Sequence, residues 1–339
     1  MTRKNALRAR AAGWPGWSGR DWPLATGLIG GAIADAVLGD PKRGHPVALF
    51  GQLMTTLEQR LYADRAAPGL GYAAAGLLLG AAPQLVAARL TRRSQAGRAA
   101  ITATTAWTTT ASRSLQAAAR QIAAALAAED LAQARAMLPS LCGRDPQDLD
   151  HAQITRAVIE SVAENTSDAI VAPLIWGALA GPAGMSGYRA VNTLDAMVGH
   201  HSPRYERFGR TSARLDDVAN WIPARITALL AAACSPAVGG RPRPTWQTAC
   251  HDGPLHPSPN AGWCEAAFAG ALAIRLGGTL SYSGRTEHRP QMGTGRTPQT
   301  GDIQRAIRLS QAVTATATAM AAGLAAAGTG ADRRLPSRC

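Results

Sequence analysis

Apolar residues in this 339-residue chain come in long blocks separated by short polar clusters. The clearest block is Ala66 to Ala88, 23 uncharged residues closed by Arg89, Arg92, Arg93 and Arg98. About 20 apolar residues suffice to cross a bilayer, so this segment is predicted to span one. Leu24 to Gly39 is apolar apart from Asp35 and ends at Gly39-Asp40-Pro41, with His45-Pro46-Val47 just beyond. The prolines stop the helix and put Asp40 and His45 on a rigid turn. A carboxylate inside an apolar helix is costly unless partnered, which makes Asp35 either a site candidate or a cap. Ala99 to Ser112 is uncharged but short and rich in threonine, and Arg113 to Leu138 has the pattern of an amphipathic, Ala-rich surface helix.

Further on, Asp150 to Val162 resumes a helix, followed by the uncharged run Ala169 to Met185. Val218 to Gly240 is mostly apolar and carries only Arg225, and Glu265 opens a small-residue helix reaching Gly277. Residues 281–301 are rich in Gly and Thr and read as a flexible connector; Leu309 to Ala331 is a last uncharged stretch, a weak span. No alternating strand pattern and no internal repeat stand out. The expected fold is therefore mainly α: a multi-pass helical integral membrane protein whose polar loops and surface helices form the site.

Four polar clusters punctuate these blocks. The first is Glu160-Ser-Val-Ala-Glu164-Asn165-Thr-Ser-Asp168, whose acids are four residues apart and drift slowly round a helix as one stripe. The second, Tyr188-Arg189-Ala-Val-Asn192-Thr-Leu-Asp195, puts Asn192 and Asp195 on one face. Asp216-Asp217-Val-Ala-Asn220-Trp221 and His256-Pro-Ser-Pro-Asn260-Ala-Gly-Trp263 complete the set. Their common grammar is a carboxylate near an asparagine, beside arginine, at the end of an apolar helix. Like charges so close call for a cation, and oxygen ligands of this kind suit Mg2+ completed by water and phosphate. Arg144, Arg156, Arg189 and Arg214 stand near enough in sequence to take phosphate oxygens. The blander reading of each cluster is a solvated helix face or an ordinary helix terminus.

Composition narrows the choice. Charged residues are only 17% of the chain and hydrophobic ones 46%, while the net charge is +13, nearly all from arginine. Arginine marks cytoplasmic flanks of spans as well as phosphate sites. With no tight basic helix and no aromatic–basic alternation, a nucleic-acid partner is not expected. The five cysteines form no CxxC, so neither a disulfide framework nor a standard zinc site follows. P-loop, GxSxG and HExxH motifs are absent.

Taken together, Gly39-Asp40-Pro41 with His45-Pro46-Val47, the Glu160–Asp168 block with Ala172-Pro173-Leu174, Tyr188–Asp195, Ala213–Pro223 and His256–Trp263 resemble the signature blocks of the CobD/CbiB family, in the family's order. The resemblance implies a multi-pass inner-membrane enzyme of the late cobalamin pathway, adenosylcobinamide-phosphate synthase, with its active site on the cytoplasmic side. It would join adenosylcobyric acid to (R)-1-aminopropan-2-ol or its phosphate through an amide bond, using ATP as substrate and Mg2+. Membrane lipid and other late-pathway membrane proteins are its expected surroundings. By position on the family blocks, Glu160, Glu164, Asp168, Asp216 and Asp217 would serve magnesium and phosphate, with Glu164, Asp168, Asp216 and Asp217 as metal ligands. Asn165, Asn192, Asn220 and Asn260 would orient substrate, with Asp40, Arg144, Arg189, Asp195 and Arg214, and His45 or His256 would be the base. Expected domains are a basic flexible leader (1–23), the helical membrane domain (24–310) and an apolar segment with a basic tail (311–339). Departures are the reduced block Ser281-Tyr282-Ser283-Gly284 and Cys264 where the family has proline. The alternatives are a corrinoid transporter or accessory subunit, and an isoprenoid diphosphate enzyme built on Asp216 and Asp217. If both Leu24–Gly39 and Ala66–Ala88 span, His45 faces away from ATP; a buried or re-entrant first segment resolves this.

Overall fold

A computed structural model describes residues 21–41, 44–142, 146–200, 202–282 and 285–328, with side chains of 279–288 excepted. The chain is almost wholly helical. α1 (Trp22–Leu38), α2 (Pro46–Leu61), α3 (Ala66–Thr91), α4 (Gln95–Thr109), α5 (Ser112–Ala127) and the short α6 (Leu131–Met137) make the first half. α7 (His151–Thr166), α8 (Ala172–Leu194), α9 (Arg210–Cys234), α10 (Pro242–Asp252), α11 (Ala261–Leu272) and α12 (Thr300–Ala327) make the second. Two strands, β1 (Leu276–Tyr282) and β2 (Arg285–Met292), pair antiparallel between α11 and α12. This hairpin corrects the expectation of a flexible connector. Its glycine-broken pattern and a register shift between Leu276 and Gly278 hide the alternation that marks a strand.

Among the described residues three segments are long and apolar enough to cross a membrane: Ala66–Thr91, His151–Gly199 and Arg210–Val238. α3 meets the expectation, with Leu70, Leu78, Leu85, Val86 and Leu90 all exposed on its outer side. The second segment does not run straight. Ala180 and Gly181 leave helical geometry, Gly181 with φ 64° and ψ −160°, and Pro182 restarts the helix. The two arms of α8, 172–179 and 182–194, fold back so that Met185 lies against Gly177. A backbone region open almost only to glycine therefore turns one uncharged run into a hairpin.

α1 is only 17 residues long and packs along α4 through small residues. Its Asp35 is buried, and Oδ2 accepts the backbone N–H groups of Ser112 at 3.1 Å and Arg113 at 3.4 Å. Asp35 thus caps α5, whose own cap position is Ala111 and offers no side chain. α12 runs unbroken across position 310 and packs against α1, α5, α7, α8 and α9. Ile303, Ile307, Leu309 and Val313 are fully buried, which makes α12 a core helix. The segment read as an amphipathic surface helix splits into α5 and α6, with Ile122 and Leu126 buried in that same core. A second, smaller core of Met54, Tyr72, Leu194, Val198 and Phe208 joins α2, α3, the end of α8 and the 202–209 connector.

Candidate functional site

The hairpin of α7 and α8 sets the site. Two π turns, Ser167–Val171 and Asp195–Gly199, flank the arms, and each carries one of the site's carboxylates. π turns occur preferentially where a helix is re-aimed for function. Across the hairpin, the Tyr188 hydroxyl lies 3.0 Å from the Asp168 carbonyl and 2.7 Å from Asn220 Oδ1. Asn220 is buried, and its Nδ2 donates to Asp216 Oδ2 at 2.9 Å. Asn192 Nδ2 donates to the other oxygen, Asp216 Oδ1, at 3.3 Å, and Arg189 Nη1 donates to Asn192 Oδ1 at 3.2 Å. One relay of hydrogen bonds therefore ties the π turn at Ser167–Val171, the second arm of α8 and α9 together.

Around this relay the acids gather. Asp168 lies within electrostatic reach of Asp216, Glu164 and Asp195, with Arg189 as counter-charge. Asp195 feels Asp216, Asp217 and Glu164 in turn. All five carboxylates, together with Arg189 and Asn192, are half-buried, so they line a crevice rather than a sealed core. On the far side, Asn260 Nδ2 donates to the Asp217 carbonyl at 2.9 Å, which brings the last cluster to the same place. Five acids beside one arginine favour a cation or a cation-bearing ligand. Among the described residues no three His, Cys, Asp or Glu side chains are close enough to hold a metal ion by themselves. The oxygen donor set fits Mg2+, which takes few carboxylates and completes its shell with water and phosphate.

Other candidates fall elsewhere. Glu160 is buried and its Oε1 accepts the Gly277 N–H at 2.7 Å, so it anchors the β-hairpin. Asn165 donates to the Ser161 carbonyl at 2.9 Å within its own helix. His45 caps α2, its Nδ1 accepting from Val47 N–H at 3.2 Å, with Asp40 4.0 Å away; the pair sits near Asp35 rather than in the crevice. His256 is buried and its Nδ1 accepts the Ser258 N–H at 3.0 Å, shaping the loop before Asn260. Arg214 is exposed, and Arg144 lies outside the described residues.

Sequence reasoning passed over two groups. Tyr188 stood inside a quoted block without a role. Arg225, noted only as the lone charge in an apolar segment, stacks between Trp221 and Trp263 at 4.2 and 4.9 Å from their ring centres. Its Nη1 reaches Asn260 Oδ1 at 3.3 Å, fixing the side chain that holds Asp217. A single cation in an apolar helix was the signal that pointed to it.

Comparison with known proteins gives a consistent result. The family model described as CobD/Cbib protein matches residues 28–310. A "Cobalamin biosynthesis protein CobD" of Mycobacterium tuberculosis strain H37Rv is 49% identical over 297 residues, covering 88% of this chain and 94% of the relative. One of Rhodobacter capsulatus is 47% identical over 205 residues, covering 60% and 64%. One of Geobacter metallireducens is 40% identical over 272 residues, covering 78% and 85%. No solved structure matches the chain.

Proposed function

The chain belongs to the CobD/CbiB family, and from that premise we propose that it is the ATP-dependent amide-forming enzyme of cobalamin biosynthesis. A part in cobalamin biosynthesis follows from the family itself. The finer reading is that it joins adenosylcobyric acid to (R)-1-aminopropan-2-ol or its phosphate, at a crevice on the cytoplasmic side of the inner membrane. The observation that carries it is the convergence of Glu164, Asp168, Asp195, Asp216 and Asp217 around Arg189.

A carboxylate is a poor electrophile. In the proposed reaction an oxygen of the free propionate attacks the terminal phosphorus of ATP, ADP leaves, and an acyl phosphate forms. The amine nitrogen then attacks the acyl carbon, the C–N bond forms, and phosphate departs. The proton lost by nitrogen goes to a carboxylate of the crevice, since His45 and His256 are both committed to local turns. One or two of Glu164, Asp168, Asp216 and Asp217 would hold Mg2+, its shell completed by water and phosphate, and the ion would neutralise phosphate charge. Arg189 takes phosphate oxygens, and the amides of Asn192, Asn220 and Asn260 hold Asp216 and the Asp217 peptide in place.

The test is purified protein in detergent with adenosylcobyric acid, aminopropanol or its phosphate, and Mg-ATP. Amide product by mass, with matching ATP consumption, is expected. Corrinoid binding without product would move the assignment to a transporter or accessory subunit. Turnover of an isoprenoid diphosphate instead would favour that chemistry at Asp216 and Asp217.

A further inference from the structure

A basic edge closes the outer face of α3. Leu78, Ala82, Leu85, Arg89 and Arg92 follow one another at alternating steps of four and three residues, so they form one stripe along the helix. All five are exposed. Val86, Leu90 and Arg93 repeat the pattern in the next row, with Leu90 80% exposed. Each row runs apolar along the helix and turns cationic at its last step. The opposite side of α3 is the packed one: Gly76 lies against Leu194 and Gly80 against Ala190, both in the second arm of α8.

The protein supplies these three arginines with no counter-charge. From Arg65 to Ala128 the chain holds no Asp or Glu. Asp21, which does reach this end, is taken: Oδ2 pairs with Arg98 and Oδ1 accepts the Leu24 N–H at 3.0 Å. Among the described residues Arg89, Arg92 and Arg93 make no ion pair and no side-chain hydrogen bond.

A second feature marks the same level. Asp21 caps α1, and its ion pair with Arg98 holds that helix start beside the turn between α3 and α4. α1 and α4 run parallel from there, Gly27 meeting Thr102 and Gly31 meeting Ala106. Trp22, 57% exposed, therefore stands beside the turn, with Ile29, Ile33 and Val37 exposed further along α1. Tryptophan collects at the boundary between hydrocarbon and headgroups. Two separate helices thus change from apolar to polar at one height.

We propose that this edge binds an anionic phospholipid, its phosphate held by Arg89, Arg92 and Arg93 and its acyl chains laid along the exposed apolar rows beneath them. Apolar surface running straight into unpaired guanidiniums matches a molecule that is hydrocarbon at one end and phosphate at the other. A soluble phosphate would leave the apolar half unused. Neither the crevice nor its chemistry enters this contact, so it stands whichever reaction the crevice carries out.

Native mass spectrometry of the full-length protein in a neutral detergent tests this. The probes are phosphatidylglycerol, phosphatidylcholine of the same acyl chains, and glycerol phosphate as the headgroup alone. Phosphatidylglycerol is expected to bind at least about tenfold tighter than phosphatidylcholine, with added salt narrowing the gap. Each of R89Q, R92Q and R93Q should weaken it about fivefold, and the triple variant should abolish the preference. R89K/R92K/R93K should keep most of it, because ammonium groups attract the headgroup too. R241Q/R243Q/R308Q removes the same net charge at three exposed arginines elsewhere and should leave the preference intact. The single variants alter exposed side chains, so they remain informative if the triple variant fails to fold. Equal affinity for the two lipids, a preference that survives R89Q/R92Q/R93Q or falls as far in R241Q/R243Q/R308Q, or glycerol phosphate bound as tightly as the lipid would each overturn the proposal.

Discussion

Gly181 offers the cleanest test of how the hairpin makes the site. Its φ of 64° and ψ of −160° lie in a region that L-residues with a Cβ almost never occupy. A Cβ built there meets nothing within 4 Å, so Gly181→Ala adds no clash and isolates backbone strain. The expected cost is about 1–3 kcal/mol of stability. Gly323, inside α12 with open space around it, is the matched control. Gly323→Ala is expected to stabilise by about 0.5–1 kcal/mol, because helical backbone suits alanine better than glycine. Thermal or denaturant unfolding in one detergent, followed by far-UV circular dichroism, reads both. The turn also sets Tyr188 opposite Asp168, so G181A should lower turnover more than stability alone accounts for. A G181A protein as stable as the parent would refute the hairpin, since a straight helix at 180–182 would welcome alanine.

Tyr188→Phe removes the one donor shared by the Asp168 carbonyl and Asn220 Oδ1, and should cost about 1–3 kcal/mol and reduce ATP turnover; an unchanged melting curve would count against the relay. Asp35→Ala uncaps α5 and should cost roughly 1 kcal/mol, measured by equilibrium unfolding, with Asp35→Asn losing less. Burial alone would raise the Asp302 carboxyl, but the Arg296 hydrogen bond, the Gln299 N–H and Arg305 outweigh it and hold it below the ordinary value. A lowered folded value means the stabilisation is complete above the usual carboxylate range, near pH 4, and is lost as pH falls through the folded value. Wild type and D302N should therefore converge in stability on acidification, and a gap that widens would reverse the sign.

Much of the site was legible because its grammar is local. Asn192 with Asp195, and Asp217 with Asn220, share helix faces by spacing alone, and the structure brings these clusters together, although both asparagines bond Asp216. The long uncharged run before Arg89 announced α3 just as plainly. Glu160 was misread for a physical reason: each step of four residues turns about 40° round a helix, so two steps carry it well away from Asp168. The π turn at 167–171 adds a further rotation that no spacing rule contains. His45 and His256 were candidates for the base by position on the family blocks, yet their Nδ1 atoms serve nearby N–H groups, a choice that only folded geometry reveals. The Ala180-Gly181-Pro182 turn lies inside the uncharged run Ala169 to Met185, which reads as a single segment unless its glycine–proline pair is given weight.

The two π turns have an implication for how such a site can be altered. In the first, the Ala172 N–H donates to the Ser167 carbonyl, five residues back instead of four. Removing one residue there would let the helix heal into ordinary α geometry, with every hydrogen bond still made. Everything downstream would swing by about 100° relative to what precedes it. A loss of one codon could thus redirect Asp168 while no other side chain changed its chemistry. A lineage could retune this pocket by length as readily as by substitution.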